Sequence, residues 1–399
     1  MRTHFTNTFA SARLLAAVMP SILLLAISIL APTTSSGTSD GFLNLSTMPP
    51  IGSQPSIITF DAPGAGIGPG QGTLPFGINP AGTVLGYYID AGDAAHGFVR
   101  TPNGAITTFD VPAAGTGPGQ GTYAFSITPA GAIAGRYADA SDVFHGFLRT
   151  PDGAITTFDV SSAGTGPGQG TRAANINPSQ TIAGRYIDAS DVTHGFVRVS
   201  DGTITTFDAP GAGTGPGQGT IVFAVDCLNP AGAITATSLD ASDVFHGVLR
   251  APDGTMTTFD VPGAGTGLFQ GTLTFGINQA GTIEGAYVDP SDVSHGFVRS
   301  SDGTITTFDP PGAGTGPGQG TVPENISAPG VVSGNYVDAS NVNHGFVRTQ
   351  QGAITTFDVP AAGTGPGQGT IPFCNNPVDA ITGEYIDANN VNHGFLRNP

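Results

Sequence analysis

The sequence of 399 residues contains no lysine and no tryptophan, and only 10% of its residues are charged. All 12 basic residues are arginine, against 29 acidic residues, which gives a formal charge of −17. A surface of this sign repels phosphate backbones, so nucleic-acid binding is excluded. No window shows helical periodicity. Glycine is abundant but lacks a three-residue period, which excludes collagen, and a hydrophobic fraction of 39% with 24 Phe argues against global disorder.

The N-terminus has the pattern of an export signal. Arg2 and Arg13 precede an apolar run over residues 14–31, and a Ser/Thr/Pro-rich stretch follows over residues 32–56. We interpret residues 1–31 as a signal peptide and residues 32–56 as a linker. The alternative is an uncleaved membrane anchor, because 18 apolar residues are at the lower limit for spanning a bilayer. An extracellular or cell-surface location is expected, with membrane contact only through this segment if it is not cleaved.

Residues 57–399 consist of seven copies of one unit. A Phe-Asp pair recurs with its Asp at Asp61, Asp110, Asp159, Asp208, Asp260, Asp309 and Asp358. A His recurs at His96, His145, His194, His246, His295, His344 and His393. The interval is 49 residues in every step but one, which is 52 because three extra residues lie between Gly219 and Asn229. A fixed period of this size is typical of propellers, solenoids and arrays.

Each copy contains four strand-like runs, which in the first copy cover residues 73–79, 83–90, 96–101 and 105–110. Asn-Gly or Asp-Gly pairs between the last two runs of most copies are strong hairpin signals. The prediction is an all-β fold, a seven-bladed β-propeller with four antiparallel strands per blade. The repeats begin with a lone fourth strand and end with a third strand, so we expect the N-terminal strand to complete the last blade. A β-solenoid and a flat β-array are the alternatives.

The segment INPAGTVLGYYIDAGDAAHGF, residues 78–98, is followed by a glycine turn and TTFD. It resembles the HAF repeat of putative extracellular repeat proteins, named for a His-Ala-Phe tripeptide. Here the tripeptide is His-Gly-Phe in six copies and His-Gly-Val in one. The resemblance covers residues 57–399 and implies an exported β-propeller, without implying an activity.

One repeated motif has the residue types of an ion site. Asp90, Asp93 and His96 are spaced Asp-x-x-Asp-x-x-His, and the repeat equivalents keep this spacing. Oxygen and imidazole ligands on one loop suit a divalent cation such as calcium. The alternative, which we favour, is an Asx turn at the first Asp with the His bonded within the loops. Asn341 and Asn390 replace the middle acid in copies six and seven, which weakens the metal hypothesis. No cofactor is expected otherwise.

A functional site on a repeating ring should break its symmetry. The position of Tyr87 becomes Arg136 and Arg185 in copies two and three and Glu384 in copy seven. Arg172 also lies in copy three, and Glu324 replaces an aromatic residue in copy six. Phe269 replaces a crossover glycine in copy five. We expect the charged positions to line the central channel or its mouth, and Phe269 with Leu268 to form an exposed apolar pair in the crossover. The alternative, which we favour, is that these residues vary at solvent-exposed positions.

These residues lead to three functional hypotheses. The first is a non-enzymatic binding or surface-interaction scaffold, with Arg136, Arg185 and Arg172 suited to a carboxylate or an acidic sugar. Its expected partners are a glycan or a surface protein. The second is a polysaccharide hydrolase or lyase with Glu384 and Glu324 as acids. The third is a structural cell-envelope module with weak cation binding.

The chain has two cysteines, Cys227 and Cys374, at one repeat position in copies four and seven. Two cysteines are too few for a disulfide scaffold. On a seven-membered ring they would lie on opposite sides of the axis, so we predict two free, buried thiols.

Overall fold

The computed structural model describes residues 55–223 and 226–399. The predicted signal peptide and nearly all of the predicted linker lie outside these residues. Every regular element described is a β-strand, so the all-β prediction is confirmed. No helix capable of crossing a membrane occurs in the described part of the chain.

The strands form seven four-stranded units. Units one to three contain β2 (Gly72–Ile78), β3 (Val84–Ile89), β4 (Ala95–Arg100), β5 (Ile106–Phe109), β6 (Gly121–Ile127), β7 (Ile133–Ala138), β8 (Phe144–Arg149), β9 (Ile155–Phe158), β10 (Gly170–Ile176), β11 (Ile182–Ile187), β12 (Thr193–Arg198) and β13 (Ile204–Phe207). Units four and five contain β14 (Gly219–Ile221), β15 (Ile234–Leu239), β16 (Phe245–Arg250), β17 (Met256–Phe259), β18 (Gly271–Ile277), β19 (Ile283–Val288), β20 (Ser294–Arg299) and β21 (Ile305–Phe308). Units six and seven contain β22 (Gly320–Ile326), β23 (Val332–Val337), β24 (Asn343–Arg348), β25 (Ile354–Phe357), β26 (Gly369–Asn375), β27 (Ile381–Ile386), β28 (Asn392–Asn398) and β1 (Ser56–Phe60).

The ring closes through the two ends of the described chain. β1 pairs antiparallel with β28 from Ser56 opposite Asn398 to Phe60 opposite Gly394, as the offset of the repeats predicts. This pairing covers the edge that the last unit would otherwise leave open.

Neighbouring units are joined by more than face-to-face packing. The third strand of each unit makes one parallel bridge to the first strand of the next, as between Ala95 and Gly121, and the bridge between Asn392 and Gly72 completes the circle. The first three strands of every unit therefore form one closed sheet, and the seven fourth strands flank it. The result is a closed, propeller-like structure, in which the units are not separate sheets.

The bridges explain the Gly-rich crossovers. Gly72 has φ +117°, and a Cβ built on it would lie 1.9 Å from the carbonyl oxygen of Asn392. Only glycine allows this approach, because any side chain would overlap the neighbouring backbone. The loop before the bridge also contacts the preceding unit, since the N–H of Gly119 donates to the carbonyl of Asp93 at 2.8 Å. Crossovers and Asp-rich loops thus share one end of the ring, the crossover face; the short turns form the opposite hairpin face.

The hydrophobic cores lie between neighbouring units, where side chains of one unit pack against those of the next. Phe98 is fully buried, and the ring of Phe60 from β1 meets it edge-on at 6.2 Å. A Cβ on Gly97 would lie 2.6 Å from the ring of Phe109, so the glycine of His-Gly-Phe makes room for the fourth-strand aromatic residue. Burial of such rings supplies much of the stabilisation of each unit.

Candidate functional site

The repeated Asp and His side chains form a hydrogen-bonded network on the crossover face. Asp90 Oδ1 accepts the backbone N–H groups of Gly92 and Ala94 at 2.8 and 2.9 Å, which is an Asx turn. His96 Nδ1 lies 3.0 Å from Asp110, and its Nε2 lies 3.4 Å from Asp90 Oδ2. Burial alone would raise the pKa of the Asp90 carboxyl, but the two N–H groups and His96 hold it below its usual value. The seven histidines of the repeats all lie between two carboxylates in this way.

The middle residue of the motif is selected by backbone conformation. Asp93 has φ +62°, and Asn341 and Asn390 have φ +63°. Asp and Asn tolerate this left-handed region better than other side chains do. The Oδ1 of Asp93 accepts a bond from Gln71 Nε2 at 2.8 Å, and Asn341 accepts the equivalent bond, so either residue fits. The part of the chain that the structure describes contains no cluster of three or more His, Cys, Asp or Glu arranged to hold a metal ion. Calcium binding stays a prediction.

A tyrosine ring stacks on the histidine in six units. Tyr88 and His96 have ring centroids 5.0 Å apart, and the interplanar angle is 22°. Unit four has Ser238 in place of the tyrosine, and its buried hydroxyl has no hydrogen-bond partner in the described structure. The neighbouring crossover glycine in unit four, Gly211, has no atom within 4 Å of a Cβ built on it. Unit four therefore has unfilled space beside His246.

Three arginines converge between units two, three and four, and we call Arg136, Arg172 and Arg185 the arginine cluster. Arg136 and Arg185 are only 9% and 7% exposed, so the alternative that they vary at exposed positions is wrong. Arg172 lies directly opposite Arg185 in the pairing of β10 with β11. Like charges at such cross-strand positions repel each other.

The arginine cluster lies against aromatic rings. The guanidinium carbon of Arg136 is 4.7 Å from the ring centroid of Phe125 and 5.3 Å from that of Phe144. The guanidinium carbon of Arg172 is 4.3 Å from the Phe144 centroid. These contacts are in the range of cation–π attraction. Arg172 also donates to the carbonyl of Gly168 at 2.6 Å, which places it at the crossover face.

In the part of the chain that the structure describes, the positive charge of the arginine cluster has no acidic partner. Among the described residues every ion pair joins a His to an Asp. Burial lowers the pKa of Arg136, and for Arg172 and Arg185 burial and neighbouring cluster charges lower it together. The Nε atoms of Arg136 and Arg172 are buried and have no hydrogen-bond partner among the described residues.

Acidic side chains occupy the opposite arc of the ring. Burial raises the pKa of Glu384 to about 8, and burial together with the charge of Glu384 raises that of Glu324 to about 8. Glu324 keeps part of its side chain accessible although it is poorly solvated, as expected of a residue that lines a narrow interior space. Glu384 is buried, and its Oε2 has no partner.

Sequence reasoning missed two members of this acidic arc, Glu284 and Asp226. Burial raises the pKa of Glu284 well above its usual value, with Glu324 and Asp226 adding to the effect, and neither of its carboxylate oxygens has a partner. A signal was available, because the whole sequence contains only three glutamates, Glu284, Glu324 and Glu384, all in the first two strands of units five to seven. Because glutamate is so rare in this sequence, its three occurrences in neighbouring units indicated a common site.

Asp226 belongs to the three-residue insertion of unit four and lies across the ring axis. Its carboxylate accepts bonds from Asn175 of unit three and Asn325 of unit six, and its carbonyl accepts the N–H of Ile277 in unit five at 3.0 Å. Cys374 Sγ of unit seven is 3.9 Å away. One insertion thus contacts four other units and closes the axis toward the hairpin face. Both cysteines are free and buried, as predicted.

Phe269 does not join either charged arc. It lies in the crossover before β18 at φ +59°, where other units have glycine, and its ring packs 6.2 Å from that of Phe245. It is half-buried, while the adjacent Leu268 is 56% exposed. The structure thus brings Arg136, Arg172 and Arg185 together and places Glu324 and Glu384 together, with Phe269 apart from both groups.

No protein-family model matches the chain, and no curated protein sequence matches it. A streptogramin B lyase structure is similar over 86% of this chain and 97% of its own, with 14% identity and a TM-score of 0.53. A lectin from Burkholderia pseudomallei is similar over 78% and 94%, with 11% identity and a TM-score of 0.49. Identities this low are informative about the fold alone. The similarity to the lyase agrees with a closed, propeller-like β-structure.

Proposed function

We propose that the chain is an exported seven-bladed β-propeller of the HAF-repeat type that acts as a non-enzymatic binding or surface-interaction scaffold. Seven antiparallel units closed by β1 support the blade count, with the parallel bridges as extra links between blades. The predicted export signal supports an extracellular or cell-surface location. The expected partners are glycans or surface proteins.

The observation that carries this proposal is the equivalence of the seven histidine sites. A catalytic base needs an environment that tunes it for reaction, and on a ring of repeats we expect that environment to differ from one unit to the others. Here each repeat histidine lies between two aspartates at equivalent positions of its own site. The residue type most suited to general base catalysis therefore has the same structural role in every blade. This repetition favours a rigid frame that presents loops.

A second candidate function is a polysaccharide hydrolase or lyase. The raised pKa of Glu324 and Glu384 favours it, because a general acid must keep its proton near neutral pH. Against it stands the burial of Glu384, whose carboxyl group would have to reach a sugar from inside the ring. The third candidate is a structural envelope module with weak cation binding. Its only support is the hydrogen-bonded network that holds the Asp-rich loops of the crossover face.

The test compares binding with turnover. The secreted protein is run through gels that contain neutral or acidic polysaccharides, and the same mixtures are assayed for new reducing ends and unsaturated products. The scaffold proposal expects retention on at least one polysaccharide without product. Product that disappears in Glu384→Gln overturns it in favour of the enzyme. No retention, with a melting temperature that falls on chelation, overturns it in favour of the structural module.

A further inference from the structure

We propose that the arginine cluster is a binding site for a small carboxylate anion at the crossover end of the ring axis. The site deepens the proposed binding role and rests on it, because it names the chemical class of one ligand. It also restricts the acidic-sugar hypothesis to monomers and other compact anions.

The first argument is charge. The three guanidinium groups lie close together, since Arg172 is directly opposite Arg185 and shares the ring of Phe144 with Arg136. None has a carboxylate partner in the described structure. A buried charge without a partner is strongly unfavourable, and a cross-strand Arg pair adds repulsion. The chain has 29 acidic residues, yet none of those that the structure describes forms an ion pair with the cluster. An anion from outside the chain would offset the charge of the cluster.

The second argument is the set of free donors. The Nε atoms of Arg136 and Arg172 are buried and unpartnered, whereas Arg185 already donates to the carbonyl of Val222 at 3.1 Å. A guanidinium presents its donors as a planar fork that matches the two oxygens of a carboxylate. The ring of Phe144 lies against both Arg136 and Arg172 and would form an apolar wall of the site.

The third argument concerns ligand size. Arg172 contacts the crossover carbonyl of Gly168, so the cluster lies toward the crossover face, while Asp226 closes the axis toward the hairpin face. The crossover face carries seven exposed fourth-strand aspartates in addition to the loop aspartates. A polyanionic chain would have to cross these carboxylates and would be repelled. A compact anion avoids most of them.

The experiment uses galacturonate, citrate, glucose and polygalacturonate as probes in titration calorimetry with the full secreted chain at constant ionic strength. Galacturonate or citrate is expected to bind at one site per chain, glucose not at all, and polygalacturonate more weakly per sugar than galacturonate. Arg136→Met should weaken carboxylate binding by about tenfold or more, the loss expected from one charge-assisted hydrogen bond. The same variant should raise the melting temperature of the ligand-free protein, because Met suits the aromatic surroundings and removes a buried charge.

The matched control is Arg149→Met, at the end of β8 on the hairpin face, which should leave binding unchanged. Absence of carboxylate binding overturns the inference, as does unchanged binding in Arg136→Met. Tighter binding of polygalacturonate than of galacturonate overturns the size restriction. If Arg136→Met does not fold, Arg172→Met is the second variant, because Arg172 is only half-buried. Retention on polysaccharide gels without carboxylate binding would leave the scaffold proposal standing and reject this site alone.

Discussion

Replacement of Glu384 by glutamine should change how the stability of the protein depends on pH. Burial raises the pKa of Glu384 to about 8, whereas the usual pKa of this carboxyl in an unfolded chain is 4.5. At pH values between 4.5 and 8, Glu384 keeps its proton in the folded state and has lost it in the unfolded state. Stability therefore falls as pH rises from 4.5 to 8 and is constant above 8. The difference of roughly 3.5 pH units corresponds to about 5 kcal/mol, at 1.36 kcal/mol per unit.

Glutamine resembles the protonated acid and does not titrate, so Glu384→Gln should remove this decline. We expect the variant and the parent protein to have similar free energies of unfolding at pH 4.5. At pH 8 the variant should be more stable by up to about 5 kcal/mol, a large share of the 5–15 kcal/mol typical of folded domains. The measurement is urea unfolding followed by circular dichroism at several pH values.

Asp302→Asn is the matched control. Asp302 is exposed on the hairpin face, and bonds from Thr304 lower its pKa, so it titrates below the window and its difference profile should be flat between pH 4.5 and 8. A difference between Glu384→Gln and parent that does not change with pH would refute the reasoning, because Glu384 would then be ionised in the folded ring. A variant less stable than the parent at pH 8 would refute it equally.

Two further substitutions test the interior and the loop network. Asp226→Ala leaves the buried amides of Asn175 and Asn325 without their acceptor and should lower the free energy of unfolding by about 2–5 kcal/mol, measured with urea, whereas Asp226→Asn keeps an acceptor and should cost less. Equal losses would show that the bonds to Asp226 contribute little. Ser238→Tyr should stack on His246 and fill the space in unit four, raising stability by roughly 0.5–1.5 kcal/mol. If Ser238→Tyr melts at a lower temperature than Ser238→Ala, unit four has no room for a tyrosine ring beside His246.

Much of the fold follows from the sequence, because the information is repeated seven times. The repeat period and the Asn-Gly and Asp-Gly turns predicted the β-structure. The offset ends of the repeats predicted closure, and the pairing of β1 with β28 follows that expectation. The parallel bridges were not predictable, since they depend on how closely Gly72 approaches a neighbouring backbone. The repeated glycines of the crossovers are visible in the sequence, but the backbone contact that requires them is not.

The interior was only partly predictable. Comparing repeat positions identified Arg136, Arg185 and Glu384, and the structure places all three inside the ring. Whether such side chains are buried depends on strand register and on the packing of neighbouring blades, so their exposure was open. The role of the insertion was hidden for a similar reason. Asp226 contacts residues up to 148 positions away, and no local pattern reports a contact of that range.

The closed ring is tested most directly by an engineered disulfide between its two ends. Ser56 and Asn398 are register partners, and Asn398 Nδ2 lies 3.3 Å from Ser56 Oγ. Cysteines at these positions would be within disulfide distance. With Cys227 and Cys374 replaced by serine, Ser56→Cys with Asn398→Cys should form an intrachain disulfide on oxidation, detected by peptide mapping, and the melting temperature should rise. Free thiols or only intermolecular dimers after oxidation would contradict the closure of β1 onto β28.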